Sequence, residues 1–188
     1  MAKNKAALDI DEQFRKAAQE YWRIREDHRR LDAQINTLLI GEEDRGTLRS
    51  AWRASSRAKM RGISNRVARF NLVGTTTAAC EALARNQNPE VEHAVPVNII
   101  HNWILGIDRS GNETAHVQPI RDMDGVEKII RAFVVGVYVT PEEHSALASQ
   151  SMPEGSDPLS LENRMGRYNN LAIHKIGECA HCRAVAGA

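Results

Sequence analysis

The sequence has few cysteines, no long hydrophobic run and almost no net charge. Its 188 residues include three cysteines, an odd number in a chain too large to need cross-links, so we expect reduced cysteines rather than a disulfide framework. The longest apolar stretches, such as Val95–Ile100 and Phe133–Val139, are far shorter than the roughly 20 residues of a membrane-spanning helix. The N-terminus lacks the continuous apolar core of a secretory signal. These absences predict a cytoplasmic protein with no membrane partner.

The formal net charge of +1 excludes a global positive field that would attract nucleic acid. The charge is nevertheless uneven, because residues 45–72 contain eight basic residues and no acidic one. These residues are Arg45, Arg49, Arg53, Arg57, Lys59, Arg61, Arg66 and Arg69. Contacts between arginine and phosphate add affinity, so this basic block predicts a nucleic-acid interface. The alternative is a solvated face neutralised by the acidic residues 42–44.

The N-terminal third predicts two helices. Apolar residues recur every three or four positions over residues 9–40, and we expect this helix to end at Gly41 and the acidic run that follows. Its apolar seam requires a partner, either the next helix folded back or the same helix of a second copy, which would give a homodimer. A second helix is expected over residues 45–60, broken at Gly62. Arginines spaced by four line one of its faces and require an acidic or phosphate partner.

After residue 88 the sequence changes from Arg/Ala-rich helices to short β-prone segments. We therefore place a boundary there, with a helical arm and basic region over residues 1–87 and an α+β module over residues 88–188. Strands are expected at Val91–Val95 and Phe133–Thr140, where valine is abundant. The predicted fold class is α+β and predominantly helical, with an N-terminal long helix or helical hairpin and a compact module with a small β component.

Two helices are expected beside these strands in the C-terminal half. Thr140, Pro141 and Glu143 form a helix-start signal, with the threonine as cap and the glutamate three residues later. A further helix is predicted from Leu159 to Tyr168. Its Arg164 and Arg167 share a face and are candidates for a second phosphate contact, although surface pairing with acidic neighbours explains them equally well.

The string Glu92-His93-Ala94-Val95-Pro96 places an acid and a histidine on a short strand that ends at a proline. Phosphodiester hydrolysis requires a water activated by a neutral imidazole and a cation that offsets charge on the phosphate. Adjacent strand residues point to opposite sides, so the two can serve one site only near a strand end or bulge. The string resembles the first motif of the HNH, or ββα-metal, endonucleases.

The second segment of the resemblance is the strand Phe133–Thr140 followed by a helix that carries His144 in its first turn. The resemblance implies that His93 is the general base and that Glu92 and His144 bind Mg²⁺ or another divalent cation. It also implies an orienting asparagine, for which Asn98, Asn102 and Asn112 are available. We favour Asn112 because it lies in a Gly-containing loop before a further strand that we expect over Thr114–Ile120. His144 follows His93 by 51 residues, so an insertion between the motifs must be assumed.

The resemblance implies a metal-dependent endonuclease that hydrolyses DNA, in a restriction-associated or phage-associated role. The alternative is a non-enzymatic nucleic-acid-binding or assembly protein that uses the helical dimer seam and the basic block. Cys179 and Cys182, in a Cys-x-x-Cys string, are half of a candidate zinc site, which needs four ligands. A Gly-rich phosphate loop, a nucleophile elbow and a His-Glu-x-x-His string are all absent, so kinases, common hydrolases and zincin proteases lack support.

Overall fold

The structure, a computed structural model, describes residues 2–107, 120–148, 152, 160–176 and 178, with side chains from residue 10 onward. Its elements in chain order are α1 (Ala2–Asn36), α2 (Glu42–Phe70), β1 (Leu72–Thr76), α3 (Thr77–Ala84), β2 (Glu90–His93), α4 (Val97–Leu105), α5 (Met123–Phe133), β3 (Gly136–Val139), α6 (Pro141–Ala148), a 3-10 turn (Gly166–Tyr168) and β4 (Ile173–Lys175). The predicted fold class, α+β and predominantly helical, is confirmed. None of the helices in the described ranges combines the length and the hydropathy needed to cross a bilayer.

The chain folds into two compact units, one of residues 1–64 and 98–130 and the other of residues 65–97 and 131–188. The boundary predicted at residue 88 falls inside the second unit. The reason is that the sheet of the second unit includes β1, which precedes that boundary, beside strands that follow it. Sequence reasoning assigned residues 72–76 to a helical region and therefore missed this strand.

In the first unit, α1 packs along α2 as a helical hairpin. Tyr21 is fully buried, and its hydroxyl donates a 3.2 Å hydrogen bond to the Met60 carbonyl. The same hydroxyl contacts Ser64, whose own hydroxyl lies 2.9 Å from His101 Nε2 on α4. Phe14, another residue of the predicted seam, is also buried. The apolar seam of α1 is thus covered within one chain, which is the intramolecular alternative stated above.

The ends of the first two helices differ from the prediction. Helix α1 ends at Asn36, and the acidic residues after Gly41 begin α2 instead of ending α1. Negative side chains are stabilising at a helix N-terminus, where the helix dipole is positive. Helix α2 also continues through Gly62 to Phe70, because one glycine costs a helix only about 1 kcal/mol and burial of Met60, Ile63 and Val67 outweighs that cost.

The second unit contains a four-stranded sheet of order β2-β3-β1-β4. Strand β3 is parallel to β1 and antiparallel to β2, while β1 is antiparallel to β4. The strand predicted over Phe133–Thr140 is confirmed only in its centre, since β3 spans Gly136–Val139 and Phe133 ends α5. Val137 and Val139 are fully buried. The core around them also contains Leu147 and Tyr168. Among the described strands, β2 lies at one edge of the sheet.

The helix predicted from Leu159 to Tyr168 is wrong over the residues described. Residues 161–165 form turns, and only Gly166–Tyr168 form a single 3-10 turn. Tyr168 is held in the core of the sheet, so burial of this ring, and not an amphipathic helix, determines the local conformation. The strand β4 that follows was also missed, because Ile173–Lys175 is too short to show an alternating pattern.

Gly136 at the start of β3 is the glycine where we expect substitution to cost most. A Cβ at this position would overlap the backbone of Ala68 and lie 2.8 Å from Val91 Cγ1. Because the backbone cannot move aside cheaply, Gly136→Ala is expected to reduce the free energy of unfolding by about 1–3 kcal/mol. Urea denaturation followed by circular dichroism measures this change.

Gly62→Ala is the matched control for that prediction. Nothing lies within 4 Å of a Cβ at Gly62, so the alanine should stabilise α2 by about 0.5–1 kcal/mol through helix propensity. Equal effects of the two substitutions would contradict the close approach at Gly136.

Candidate functional site

The candidate site is built on two antiparallel strands and a helix of the second unit. Strand β2 runs antiparallel to β3, with Glu92 opposite Val137 and His93 opposite Gly136. Helix α6 follows β3 after Thr140 alone and contacts β2. The two sequence segments that resemble HNH motifs therefore form one ββα arrangement, although α4 and α5 lie between them in the sequence.

The start of α6 is fixed by a capping box, as predicted. The Thr140 hydroxyl accepts a 3.2 Å hydrogen bond from the Glu143 backbone N–H, and the Glu143 carboxylate accepts a 2.9 Å bond from the Thr140 N–H. The same carboxylate accepts a 2.6 Å bond from the hydroxyl of Thr76, the N-cap of α3. His144 then lies in the first turn, where its N–H donates to the Thr140 carbonyl at 2.8 Å. These bonds fix the position of His144 relative to the sheet.

The imidazole of His144 lies between two carboxylates of β2. Its Nε2 is 2.9 Å from Glu92 Oε2, and its Nδ1 contacts Glu90. Residues 90 and 92 face the same side of the strand because side chains alternate. The structure thus brings together the two predicted metal ligands, Glu92 and His144. Sequence reasoning missed Glu90, although its spacing of two from Glu92 on a predicted strand was the signal available.

Glu92 is also bound by a buried arginine. Arg167 Nη1 donates to Glu92 Oε1 at 2.8 Å and to the His93 carbonyl at 3.0 Å, and Nη2 donates to the Leu147 carbonyl. Arg167 is only 7% exposed, so of its two predicted roles the phosphate contact is wrong. It pairs with an acidic residue, as the alternative held, but inside the unit and not on its surface. Arg164, the other candidate, donates a 2.9 Å bond to the Ala132 carbonyl. Both arginines hold the unit together.

Tyr168 is adjacent in sequence to this ion pair and is 2% exposed. Burial raises the pKa of its hydroxyl far above the ordinary value of 10.0, and the negative charge of Glu92 raises it further. The phenol therefore stays neutral across the physiological pH range. Its position in the apolar core of the sheet makes Tyr168 a packing residue.

His93 is the last residue of β2, the position where adjacent side chains can serve one site. It lines a cleft of about 640 Å³ at the strand edge together with Glu92 and His144. The cleft is also lined by Asn65 and Arg69, which are one turn apart on α2 and exposed. The three predicted catalytic and metal-binding residues within the described ranges therefore share one cleft, with one member of the basic block beside them.

The predicted orienting asparagine, Asn112, lies outside the described residues. Of the two alternatives, Asn102 accepts a 2.8 Å hydrogen bond from Arg57 in the first unit, and Asn98 is exposed on α4. Within the described part of the chain, no group of three His, Cys, Asp or Glu side chains is arranged to hold a metal ion. In the candidate site, His144 hydrogen-bonds directly to the carboxylates.

The basic block divides into two sets. Arg45, Arg49, Arg53 and Arg57 are half-buried. Arg45 and Arg49 pair with Glu42 at 3.3 and 2.9 Å, so two of these arginines are neutralised within the first unit by one of the predicted acids. The other set, Lys59, Arg61, Arg66 and Arg69, is exposed. We therefore expect this second set to provide most of any contact with nucleic acid.

Cys80 is disulfide-bonded, so the expectation of reduced cysteines is wrong for this residue. The other two cysteines, Cys179 and Cys182, lie outside the described residues, and so does the candidate zinc site. Because disulfides persist in oxidising surroundings and are rare in a cytoplasm, this bond does not support the cytoplasmic location, which stays a prediction.

Comparison with known proteins assigns no family to the chain. No protein family, curated protein or solved structure matches the chain significantly.

Proposed function

We propose that the second unit is a metal-dependent endonuclease of the HNH type, acting on DNA. The observation that supports it best is the ββα arrangement in which Glu92, His93 and His144 line one cleft. Two residues that are 52 positions apart in the sequence, Glu92 and His144, are brought within 2.9 Å, the distance from Glu92 Oε2 to His144 Nε2. Phosphodiester hydrolysis requires at least an imidazole that activates water and ligands for a cation. Side chains of these types lie here at the end of a strand and the start of an adjacent helix.

We assign the divalent cation to Glu90, Glu92 and His144, which lie on one side of β2. Carboxylate oxygens are the ligand type of Mg²⁺ and Mn²⁺, but the three side chains bond to one another and are not arranged around a cation-sized space, so binding requires them to rearrange. A cation bound there would replace hydrogen bonds that these side chains make with one another. When bound, it would polarise a phosphoryl oxygen and offset the charge that develops during hydrolysis.

The protein's own groups have separate tasks in this proposal. His93 accepts the proton of the attacking water, which a neutral imidazole can do. Arg167 holds the Glu92 carboxylate at 2.8 Å, so that this ligand keeps one orientation. Arg69 and Asn65, exposed on the same face of α2, contact backbone phosphates next to the scissile one.

Nicking of supercoiled plasmid in Mg²⁺ or Mn²⁺, with EDTA as the blank, tests the proposed function. We expect the full chain to nick, and Glu92→Gln and His144→Ala each to reduce nicking by at least about 100-fold, since removal of a ligand weakens the cation site. Glu142→Gln is the matched control, because Glu142 is exposed on the same helix as His144. It should nick at the parental rate.

Binding of DNA without nicking, across several divalent ions and pH values, would refute the enzyme and leave the non-enzymatic nucleic-acid-binding protein. In that case the exposed set Lys59, Arg61, Arg66 and Arg69 would be the binding surface. Tyr21, a residue of the seam that this alternative invoked, bonds to Met60 of α2 in the same chain, so the dimer of this alternative would need another surface.

A further inference from the structure

The arginine stripe of α2 loses its acidic partners half-way along the helix. Arg49 pairs with Glu42 at 2.9 Å and with Asp32 at 3.4 Å. In the described part of the first unit, neither Arg53 nor Arg57 has a carboxylate within ion-pairing distance. Arg57 donates one 2.8 Å bond to the neutral Asn102 amide. The positive charge of these two side chains is therefore not compensated.

A buried histidine faces this uncompensated charge from α1. His28 is only 4% exposed, and its Nδ1 has no hydrogen-bond partner among the described residues. Burial lowers the pKa of His28 below its ordinary value of 6.5; Asp32 opposes this shift, and the positive charges of Arg53 and Arg57 add to it. The register of the two antiparallel helices places these side chains together: Tyr21 of α1 bonds to Met60 of α2, and Asp32 pairs with Arg49. His28, between Tyr21 and Asp32, therefore lies opposite Arg53 and Arg57.

Several polar atoms of this cluster have no partner. The Nε atoms of Arg53 and Arg57 are buried and, in the described structure, make no hydrogen bond. The same holds for the hydroxyl of Ser56, which shares a helix face with Arg53 because the two are three residues apart. Buried polar groups are almost always hydrogen-bonded, and like charges four residues apart destabilise a helix. A bound anion would remove both costs.

We propose that His28, Arg53 and Arg57 form a binding site for an oxyanion of the phosphate class. A phosphate group offers several acceptor oxygens to N–H donors that otherwise lack partners, and guanidinium groups bind it with charge-assisted hydrogen bonds. Arg53 and Arg57 are partly exposed, so their guanidinium groups can meet an ion from solution. The phosphate can come from free phosphate or from a nucleic-acid backbone. The inference belongs to the first unit and does not depend on the proposed nuclease.

The first experiment uses inorganic phosphate and the full chain. Binding is measured by isothermal titration calorimetry and by thermal unfolding, against chloride at equal ionic strength. We expect phosphate, and not chloride, to raise the melting temperature, since a ligand that binds only the folded state stabilises it. Arg53→Gln and Arg57→Gln should each weaken phosphate binding by about tenfold. Arg15→Gln, which removes the same charge from an exposed position on α1, outside the basic block, should leave it unchanged.

Two outcomes would overturn the site: no phosphate effect beyond that of chloride, or equal losses in Arg53→Gln and Arg15→Gln. If the glutamine variants fail to fold, an NMR titration of the parent chain tests the site instead. We expect phosphate, and not chloride, to shift the imidazole resonances of His28. Resonances that do not move with phosphate would refute the proposal. Neither readout involves nicking, so failure here is distinguishable from failure of the nuclease.

A DNA arm of the experiment separates the two sources of phosphate. Binding of a short duplex is measured in EDTA for the parent, Arg53→Gln and Arg15→Gln. If the site takes a backbone phosphate, Arg53→Gln weakens DNA binding more than Arg15→Gln does, and free phosphate competes with the duplex. If it takes free phosphate, the two variants bind DNA equally while only Arg53→Gln loses phosphate. Either result supports the site and identifies its ligand.

Discussion

Replacing His93 with alanine is expected to reduce metal-dependent plasmid nicking by roughly 10²–10⁴-fold, the usual contribution of a general base. His93 ends β2 and lines the same cleft as Glu92 and His144, so its loss removes the proton acceptor without removing the proposed ligands. DNA binding, measured by fluorescence anisotropy in EDTA, should stay within about twofold of the parent, because phosphate contacts determine affinity.

The control is His174→Ala, which removes an exposed histidine of β4 in the same unit. His174 hydrogen-bonds to the Thr77 hydroxyl at 2.9 Å and does not line the cleft. Its variant should nick at the parental rate. Parental nicking by a folded His93→Ala protein would exclude His93 as the base, and equal loss in both variants would point to a folding defect.

The parts of the fold that could be predicted are those encoded by neighbouring residues. The Val-rich run of β3 and the Thr140–Glu143 capping box both depend on contacts within a few residues, and the structure confirms both. The extent of α2 could not be predicted in this way. Its continuation through Gly62 depends on burial of residues such as Met60 and Val67, which is a property of the packed unit.

Strand β1 shows the same limit for the sheet. Leu72–Thr76 pairs with β3 on one side and β4 on the other, so both of its partners are more than 50 residues away in sequence. A short strand that includes a glycine has little local β signal, and only its two neighbours stabilise it. The sequence boundary at residue 88 therefore fell within the unit that β1 completes.

The types of residue and their order in the sequence predicted which side chains form the candidate site. The hydrogen bonds and ion pairs between them could be seen only in the structure. Glu92, His93 and His144 were chosen from two short segments, and the structure brings them to one cleft. Arg167 could not be predicted as the partner of Glu92, because the two are 75 residues apart and a lone arginine near acidic residues is usually a surface residue. The partner of the arginine stripe was left open between acid and phosphate for a related reason: four-residue spacing shows that side chains share a face and does not show what that face meets.

Replacing Arg167 with methionine is expected to reduce the free energy of unfolding of the second unit by about 3–5 kcal/mol, the cost of leaving one charge of a buried pair without its partner. Glu92 is 9% exposed, so its carboxylate gains little from water once the guanidinium is gone. The His93 and Leu147 carbonyls lose their donors as well. Urea denaturation at neutral pH measures the change.

Arg164→Met provides the comparison, because Arg164 is half-buried, lies three residues earlier and donates one bond, at 2.9 Å, to a neutral carbonyl. Loss of a single such bond should cost about 1 kcal/mol. Adding Glu92→Gln to Arg167→Met should restore part of the lost stability, since the double variant no longer buries a lone charge, and the double-mutant cycle isolates that coupling. A cost for Arg167→Met no larger than that for Arg164→Met, with additive effects in the cycle, would mean that the Glu92–Arg167 pair does not stabilise the candidate site. The orientation of Glu92 would then have to come from His144 alone.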